Sequence, residues 1–355
     1  MNKSISFLCD FGYESGYGHL LRSISIAEEL VKLNKKIKIN IFLTSNNKKD
    51  KIIKDKFLGE NIFNWIYLNF SQYRQESFEQ NFSLLLKKEN SNILILDTRI
   101  FLSKYFFSSL KSENISLVTI DDISKKRIFS DLCFYPPVDS ALKLNWKNYK
   151  GKVFIGWQWI ALRKEFIESS RIKKSYQNIS LTNIDILLLT GASDPKGISL
   201  KVLEFLNQTI FYNINLSIVI GPANKNRQKI TELKDSFKYK IKIFDPDIDI
   251  SKIMKNNHIV ISTFGTTCYE LAALSIPSIH ICLDEDHLKS SKLFTDSQMS
   301  ISLGRYDLIT KEYFKKKVSS FIQNKDVLLK MRESCKNNID IFGSRNIAKE
   351  IIALI

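Results

Sequence analysis

The chain has 355 residues, 44% of them hydrophobic, enough for one large or two medium α/β domains and too apolar for a disordered polypeptide. Its 53 Lys and Arg against 37 Asp and Glu give a net charge of +16. The basic residues are dispersed without interleaved aromatics or a nucleic-acid motif, which argues against nucleic acid and leaves room for a field around an anionic ligand.

Five scattered cysteines, Cys9, Cys133, Cys268, Cys282 and Cys335, form no C-x-x-C pair, so neither a disulfide framework nor a zinc site is expected. No apolar run reaches the length of a membrane span, and the first residues, MNKSISFLCDFG, read as a strand and turn rather than a leader. A cytoplasmic protein without stable membrane insertion is the expectation.

Strand-like apolar runs then recur along the chain, each followed by a helix-like stretch. The first half carries SISFLCD, KIKINIFLT, NILILDT, SLVTIDD and KVFIG; the second carries IDILLLTG, LSIVIGP, IKIFDP, HIVISTFG and SIHICLD. Near-continuous Ile, Leu and Val strands alternating with helices imply parallel sheets covered on both faces. Two series of this size predict two doubly wound, Rossmann-like domains, 1–168 and 183–355, with polar 169–182 as linker; an eightfold barrel is the alternative that this break disfavours. The last helix is expected to return to the N-terminal domain.

In open α/β sheets ligands bind beyond the carboxyl ends of the strands, so the residues after each strand carry the functional reading. After SISFLCD comes the loop ESGYGHLLRS, in which Gly16 and Gly18 allow close approach of backbone to ligand and His19 opens a segment with apolar residues at Leu20, Ile24, Ala27 and Val31. Placement at a helix start favours a neutral imidazole able to accept a proton; a surface turn histidine is the competing reading. This loop is not the dinucleotide fingerprint, because Leu21 stands where the third glycine belongs.

LLLTGASDPKG places Gly191, Ser193 and Asp194 after a buried strand, a turn that suits a phosphate and equally suits a plain strand-to-helix connection. VISTFGTTCYELAAL places Thr263, Gly265, Thr266 and Thr267 before a helix with Glu270 one turn on. Hydroxyls and helix-start N–H groups can hold a diphosphate and the carboxylate can accept ribose hydroxyls, or Glu270 can close a capping box with Thr267. Asp10, Asp97, Asp121 and Asp122 end strands, but nothing fixes their mutual geometry, so no metal is expected. There is no nucleophile elbow and no P-loop. His258 and His280 read as packed or capping residues.

Taken together, Asp10, GYGHLLR, the IDD strand end, GWQWIALRKEF, DILLLTGASD, ISTFGTTCYELAALSIPSI and FGSRNIAKEII resemble the UDP-sugar hydrolases of pseudaminic acid biosynthesis, which act on UDP-2,4-diacetamido-2,4,6-trideoxy-β-L-altropyranose and are related to GT-B glycosyltransferases. The resemblance covers nearly the whole chain. It implies a GT-B fold, two Rossmann-like domains with parallel sheets facing a central cleft, and a metal-independent, cofactor-free, inverting hydrolase whose partner is a UDP-sugar. His19 would be the base that activates water. Asp10, Gly16, Tyr17, Gly18, Arg22 and Arg99 would address the sugar. Gly191, Ser193, Thr263, Gly265, Thr266, Thr267, Glu270, Asp286 and His287 would hold the nucleotide.

The chain departs from the family at Leu8, where an arginine is usual, and at Arg99, where a tyrosine near the sugar is common; both departures are expected around the sugar. Ala192 replaces a glycine, and Asp286–His287 replace Asn-Gln. The alternatives are a GT-B glycosyltransferase, in which His19 would deprotonate an acceptor hydroxyl, and a nucleotide-sugar-binding protein without activity. A hydrolysing 2-epimerase fits the GYGHLLR loop less well. A transferase with a lipid acceptor would expose an apolar or basic patch on the N-terminal half, and none stands out in the sequence. Nothing in the sequence demands a dimer, so a monomer is expected.

Overall fold

The structure, a computed structural model, describes residues 3–11, 18–44, 62–68, 75–171, 183–208, 214–222, 224–237, 239–245 and 249–355. They divide into two units, 1–163 with 342–355, and 164–341.

The N-terminal unit runs β1 (Ser4–Asp10), α1 (Gly18–Leu33), β2 (Lys38–Thr44), β3 (Asn64–Tyr67), α2 (Gln75–Lys88), β4 (Ile93–Asp97), α3 (Lys104–Ser112), β5 (Ser116–Ile120), a 3-10 turn (Lys125–Phe129), β6 (Leu132–Tyr135), α4 (Asp139–Leu142) and β7 (Lys152–Ile155). The C-terminal unit runs α5 (Lys164–Arg171), β8 (Ile184–Leu189), α6 (Ile198–Asn207), β9 (Ile214–Val219), α7 (Arg227–Ser236), β10 (Ile241–Phe244), α8 (Ile250–Lys255), β11 (Ile259–Thr263), α9 (Thr266–Ala273), β12 (Ser278–Cys282), α10 (Glu285–Asp296), β13 (Ile301–Arg305), α11 (Lys311–Ile322) and α12 (Lys325–Asn338). The chain ends in α13 (Gly343–Ile352), which belongs to the N-terminal unit.

Both sheets are parallel throughout, in the orders β3-β2-β1-β4-β5-β6-β7 and β10-β9-β8-β11-β12-β13. The ten apolar runs of the sequence are the strands expected; β3, β6 and β13 are additional. Of these, NWIY and ISLGR are only partly buried strands, without the continuous apolar character of the others.

Every residue of β1 is buried, because the strand is covered on both faces. Ile5, Phe7 and Cys9 point to one side, with Leu20, Ala27 and Leu30 of α1 and Ile347, Ala348 and Ile351 of α13. Leu8 points to the other side, with Phe42, Leu96, Phe82 and Phe106. Leu8 is therefore a core residue, packed under the sheet by the period-two alternation of a strand, rather than a group beside a sugar.

The boundary between the units falls at 163–164, ahead of the expected 168. Fully buried Phe166 explains it: α5 packs this ring among Leu187, Val219, Val260 and Leu271 of the second unit, and Ser169 bonds Ser251 at 2.8 Å. α13 is tied to the segment that follows β7 through Ser344 Oγ, which donates to the Leu162 carbonyl at 3.2 Å, and Asn346 Nδ2, which donates to the Gln158 carbonyl at 3.1 Å.

The approach is closest at Gly343, where a Cβ would stand 2.1 Å from the Ile160 carbonyl oxygen. Because the obstructing atoms are backbone, Gly343→Ala is expected to lift the start of α13 and cost about 1–3 kcal/mol of stability. Urea denaturation against wild type measures this; an unchanged midpoint would show that α13 docks without that contact.

Candidate active site

In each sheet the strand order reverses at one place, between β1 and β4 and between β8 and β11. Crossovers leave in opposite directions there, which opens a crevice beyond the carboxyl ends. Asp10 ends β1 and Asp97 ends β4; Gly191 follows β8 and Gly265 follows β11. The candidate residues that sequence places far apart thus meet at the two switch points.

At the first switch point, His19, Arg22 and Ser23 stand at i, i+3 and i+4 on one face of α1. All three address Asp97, whose side chain is fully buried. Asp97 accepts from His19 Nδ1 at 2.6 Å, from Arg22 Nε at 2.8 Å and Nη2 at 2.5 Å, and from Ser23 Oγ at 3.2 Å. Arg22 Nη1 reaches Asp121 at 3.0 Å. Burial alone would raise the Asp97 carboxyl, but the charge and hydrogen bonds of Arg22, with those of His19, outweigh it and hold it down at about 2.

An ionised carboxylate only accepts, so Nδ1 of His19 carries a proton, and in the neutral ring the lone pair is then on Nε2. Nε2 has no hydrogen-bond partner among the described residues, and the side chain is 20% exposed. An oriented, accessible imidazole backed by a buried carboxylate is the arrangement of a general base. Asp97 is the residue the sequence reading left out of the site. The signal was present in ILILD, an apolar strand ending in a charge that burial obliges to find a partner.

Asp10 does different work. One carboxylate oxygen accepts from Thr98 Oγ1 and the other from the Arg99 backbone N–H, the latter at 2.7 Å, tying the end of β1 to the turn after β4. Arg99 itself is exposed. With Asp10 and Asp97 engaged in this way, the described residues contain no cluster of His, Cys, Asp and Glu able to hold a metal. Gly16 and Tyr17 lie outside the described residues, and Gly18 is the first residue of α1.

In the second sheet, three helices follow β8, β11 and β12, and their starts differ. Asp194 is buried and its carboxylate accepts from the N–H of Ile198 at 2.8 Å and of Ser199 at 2.9 Å. Asp284 likewise accepts from the His287 N–H at 2.8 Å. α6 and α9 both follow a glycine, Gly197 and Gly265; the first N–H groups of α6 are bonded by Asp194, whereas the N-cap of α9 makes no side-chain hydrogen bond. A Cβ added at Gly265 or Gly191 would meet nothing within 4 Å, so the space above both turns is open.

The capping box of Thr267 with Glu270 is absent: Thr267 lies inside the helix, one residue past its start, and Gly265 takes the cap position. The phosphate reading of the Gly191 turn narrows too, because Asp194 already fills the α6 N-terminus; Gly191 and half-exposed Ser193 remain available. Thr263 and Thr267 are half-exposed, Thr266 is exposed and Glu270 is buried on α9. Asp286 and His287 sit in the first turn of α10, where the His287 ring lies 5.8 Å from that of Phe264, the residue before Gly265.

His280 is a core residue whose imidazole burial pushes down to about 3, and His258 accepts from the Asp185 N–H at 3.0 Å. All five cysteines are free and buried, and burial pushes the Cys268 thiol, inside α9, up to about 12, which removes it as a nucleophile.

Residues 186–351 match the glycosyltransferase family 28 C-terminal domain. The chain is 27% identical over 291 residues to an uncharacterized protein of Methanocaldococcus jannaschii, a match covering 79% of this chain and 56% of that protein, so the chain spans little more than half of that relative. It is 22% identical over 345 residues to the spore coat polysaccharide biosynthesis protein SpsG of Bacillus subtilis, covering 95% and 94%. Among solved structures, Acinetobacter baumannii MurG aligns with a TM-score of 0.71 at 11% identity, covering 99% of both chains. The UDP-GlcNAc 2-epimerase of Neisseria meningitidis bound to UDP-GlcNAc aligns at 0.65 with 14% identity, again over 99% of both. The fold is GT-B: two α/β units, each built on a parallel sheet.

The Asp97 carboxyl has a testable consequence. Held near 2 in the fold against 3.8 for a free aspartate, it binds fewer protons folded than unfolded between those values. Its contribution, of the order of 2 kcal/mol, is full above about pH 4 and is lost as pH falls towards 2. Urea titrations from pH 2.5 to 6 should show this slope in wild type and a reduced slope in Asp97→Asn; equal slopes would remove the buried pair as its origin.

Proposed function

We propose that the protein hydrolyses a UDP-activated amino or deoxy sugar in the cytoplasm, releasing UDP and free sugar with inversion and without a metal, in nonulosonic acid biosynthesis of the pseudaminic type. The observation that carries this reading is the His19–Asp97 pair at the switch point of the N-terminal sheet, where Nδ1 is engaged and Nε2 is left to accept a proton. Support for the nucleotide comes from the uncapped start of α9 within the span similar to glycosyltransferase family 28, and from neighbours of this fold described with UDP or UDP-GlcNAc bound. Support for the pathway class comes from the polysaccharide biosynthesis relative.

In the proposed step, Nε2 of His19 takes a proton from water as the water oxygen bonds to the anomeric carbon. The bond from that carbon to the β-phosphate oxygen breaks, and its electron pair leaves on UDP. The N–H groups at the α9 start, with the hydroxyls of Thr266 and Thr267, meet the diphosphate charge, and Glu270 accepts from the ribose hydroxyls. Asp10 keeps the Arg99 turn in place for the sugar, and Asp97 holds the imidazole in its accepting tautomer.

A transferase is the second reading, with an acceptor hydroxyl in place of water; the exposed aromatic side chains of Phe101 and Tyr105 beside the carboxyl edge of the N-terminal sheet favour it. A panel of UDP-sugars with and without EDTA, followed by UDP release, separates the two. Release in water alone, unaffected by EDTA, is expected; strict dependence on an acceptor moves the assignment to transferase. UDP binding without release from any sugar, with or without acceptor, leaves a binding protein.

His19→Ala should lower turnover about 10²–10⁴-fold with UDP affinity retained, and retained turnover would remove His19 from its role. Glu270→Gln should weaken UDP binding in calorimetry; unchanged affinity would take Glu270 out of the nucleotide site.

A further inference from the structure

The turn after β4 is held in place from β1 and from the next crossover. Asp10 accepts from Thr98 Oγ1 and, at 2.7 Å, from the Arg99 N–H. Thr98 Oγ1 in turn accepts from the Ile100 N–H at 3.1 Å. From the other side Lys126 donates to the carbonyls of Thr98 at 2.6 Å and Ile100 at 3.1 Å. Lys126 is buried and pairs with Asp122 at 2.8 Å, and the Asp122 carbonyl accepts from the hydroxyl of buried Tyr135 at 2.6 Å. A buried ammonium is costly unless its donors are used, and two of the three here go to the backbone on either side of Arg99.

The Arg99 side chain takes no part in this network. It is exposed and has no hydrogen-bond or ion-pair partner among the described residues. The carboxylates that end or follow β1, β4 and β5 are committed elsewhere: Asp10 to the turn, Asp97 to His19, Arg22 and Ser23, Asp121 to Arg22, and Asp122 to Lys126. Arg99 stands two residues beyond Asp97, at the strand end where His19 is oriented. An unpaired guanidinium on a backbone fixed from both sides is a preorganised anion receptor, and its planar fork of N–H donors matches the two oxygens of a carboxylate.

We propose that Arg99 selects a substrate whose sugar carries a carboxylate, bound by the guanidinium through two parallel N–H···O bonds. The proposal rests on the UDP-sugar reading above and narrows its sugar to an acidic one. The carboxylate can stand on the ring, as in a uronic acid, or on an acidic substituent of an amino sugar; both present the same two oxygens.

Calorimetry with two matched pairs tests it: UDP-glucuronic acid against UDP-glucose, and UDP-N-acetylmuramic acid against UDP-GlcNAc, with UDP alone as reference. In at least one pair the acidic member should bind about 10–100-fold more tightly, and the pair that shows this says where the carboxylate sits. Arg99→Gln should bring the two members of that pair to the same affinity. Arg99→Lys, which keeps the charge and loses the fork, should restore only part of the difference. Equal affinities within both pairs in wild type overturn the proposal, while UDP binding in the same experiment leaves the nucleotide reading standing. A preference that Arg99→Gln retains also overturns it, because it would reflect the +16 charge alone. Failure of wild type to bind UDP removes the nucleotide reading and this inference with it.

Discussion

The N-terminal unit depends on one buried charge. A carboxylate with no solvent exposure is tolerated only when its lone pairs are used, and Asp97 spends them on His19, Arg22 and Ser23 of a single helix. That requirement sets the rotation of α1 about its axis, since i, i+3 and i+4 must all face the end of β4. It also fixes the imidazole tautomer, because the ring nitrogen that meets an ionised acid must donate. Helix register, site electrostatics and the His19 tautomer therefore follow from the same four-residue contact. Arg22 extends the arrangement to Asp121, whose backbone lies in the left-handed region at φ 53°, a conformation aspartate tolerates better than most residues.

The C-terminal unit repeats the topology and uses its helix ends in the opposite way. Where α6 and α10 satisfy their first N–H groups with Asp194 and Asp284, α9 presents its own behind a glycine. A carboxylate bonded at a helix start competes with any anionic ligand for the same donors, so of these three ends α9 is the one with capacity left. Tight packing supports the neighbouring turn: a Cβ at Gly221 would stand 2.2 Å from the Ala192 carbonyl oxygen, so the chain after β9 presses against the turn after β8.

Much of this was legible in the sequence, and what was not has physical causes. Most strands announced themselves as Ile, Leu and Val runs because parallel strands are buried on both faces, and β7 and β10 did so although only partly buried. NWIY and ISLGR, partly buried, did not, and neither did the short, fully buried LCFY of β6. The strand-end rule located Asp10, His19, Gly191 and Gly265, but not which carboxylate serves which partner. Asp10 and Asp97 look alike in SISFLCD and NILILD, yet one clamps a turn and the other orients a ring. Pairing across 78 residues, as between His19 and Asp97, is a property of strand order, which composition does not encode. Leu8 shows the converse: its position in the resemblance suggested a sugar contact, while the alternation of β1 sends it into the core.

The exposed apolar side chains were hidden for a related reason. Phe101, Tyr105, Ile128 and Phe129 sit in short segments that also hold buried residues such as Leu102, Phe106 and Lys126, so linear hydropathy cannot distinguish outward side chains from core ones. Phe106 and Phe107 on the same helix are almost wholly buried and stack inward, whereas Tyr105, one residue earlier, is 74% exposed. On α3 the inward side is set by Leu110 and Phe106, four residues apart, and Tyr105 falls outside that stripe by helical geometry alone. Lys126, buried and bonded to two carbonyls, locks the next crossover against the first, which leaves Ile123 and Ile128 outside the core. The inner contacts thus fix the segments that bear the exposed side chains, so the exposed set is a consequence of how the crossovers are anchored and can change in chemistry without disturbing the core beneath.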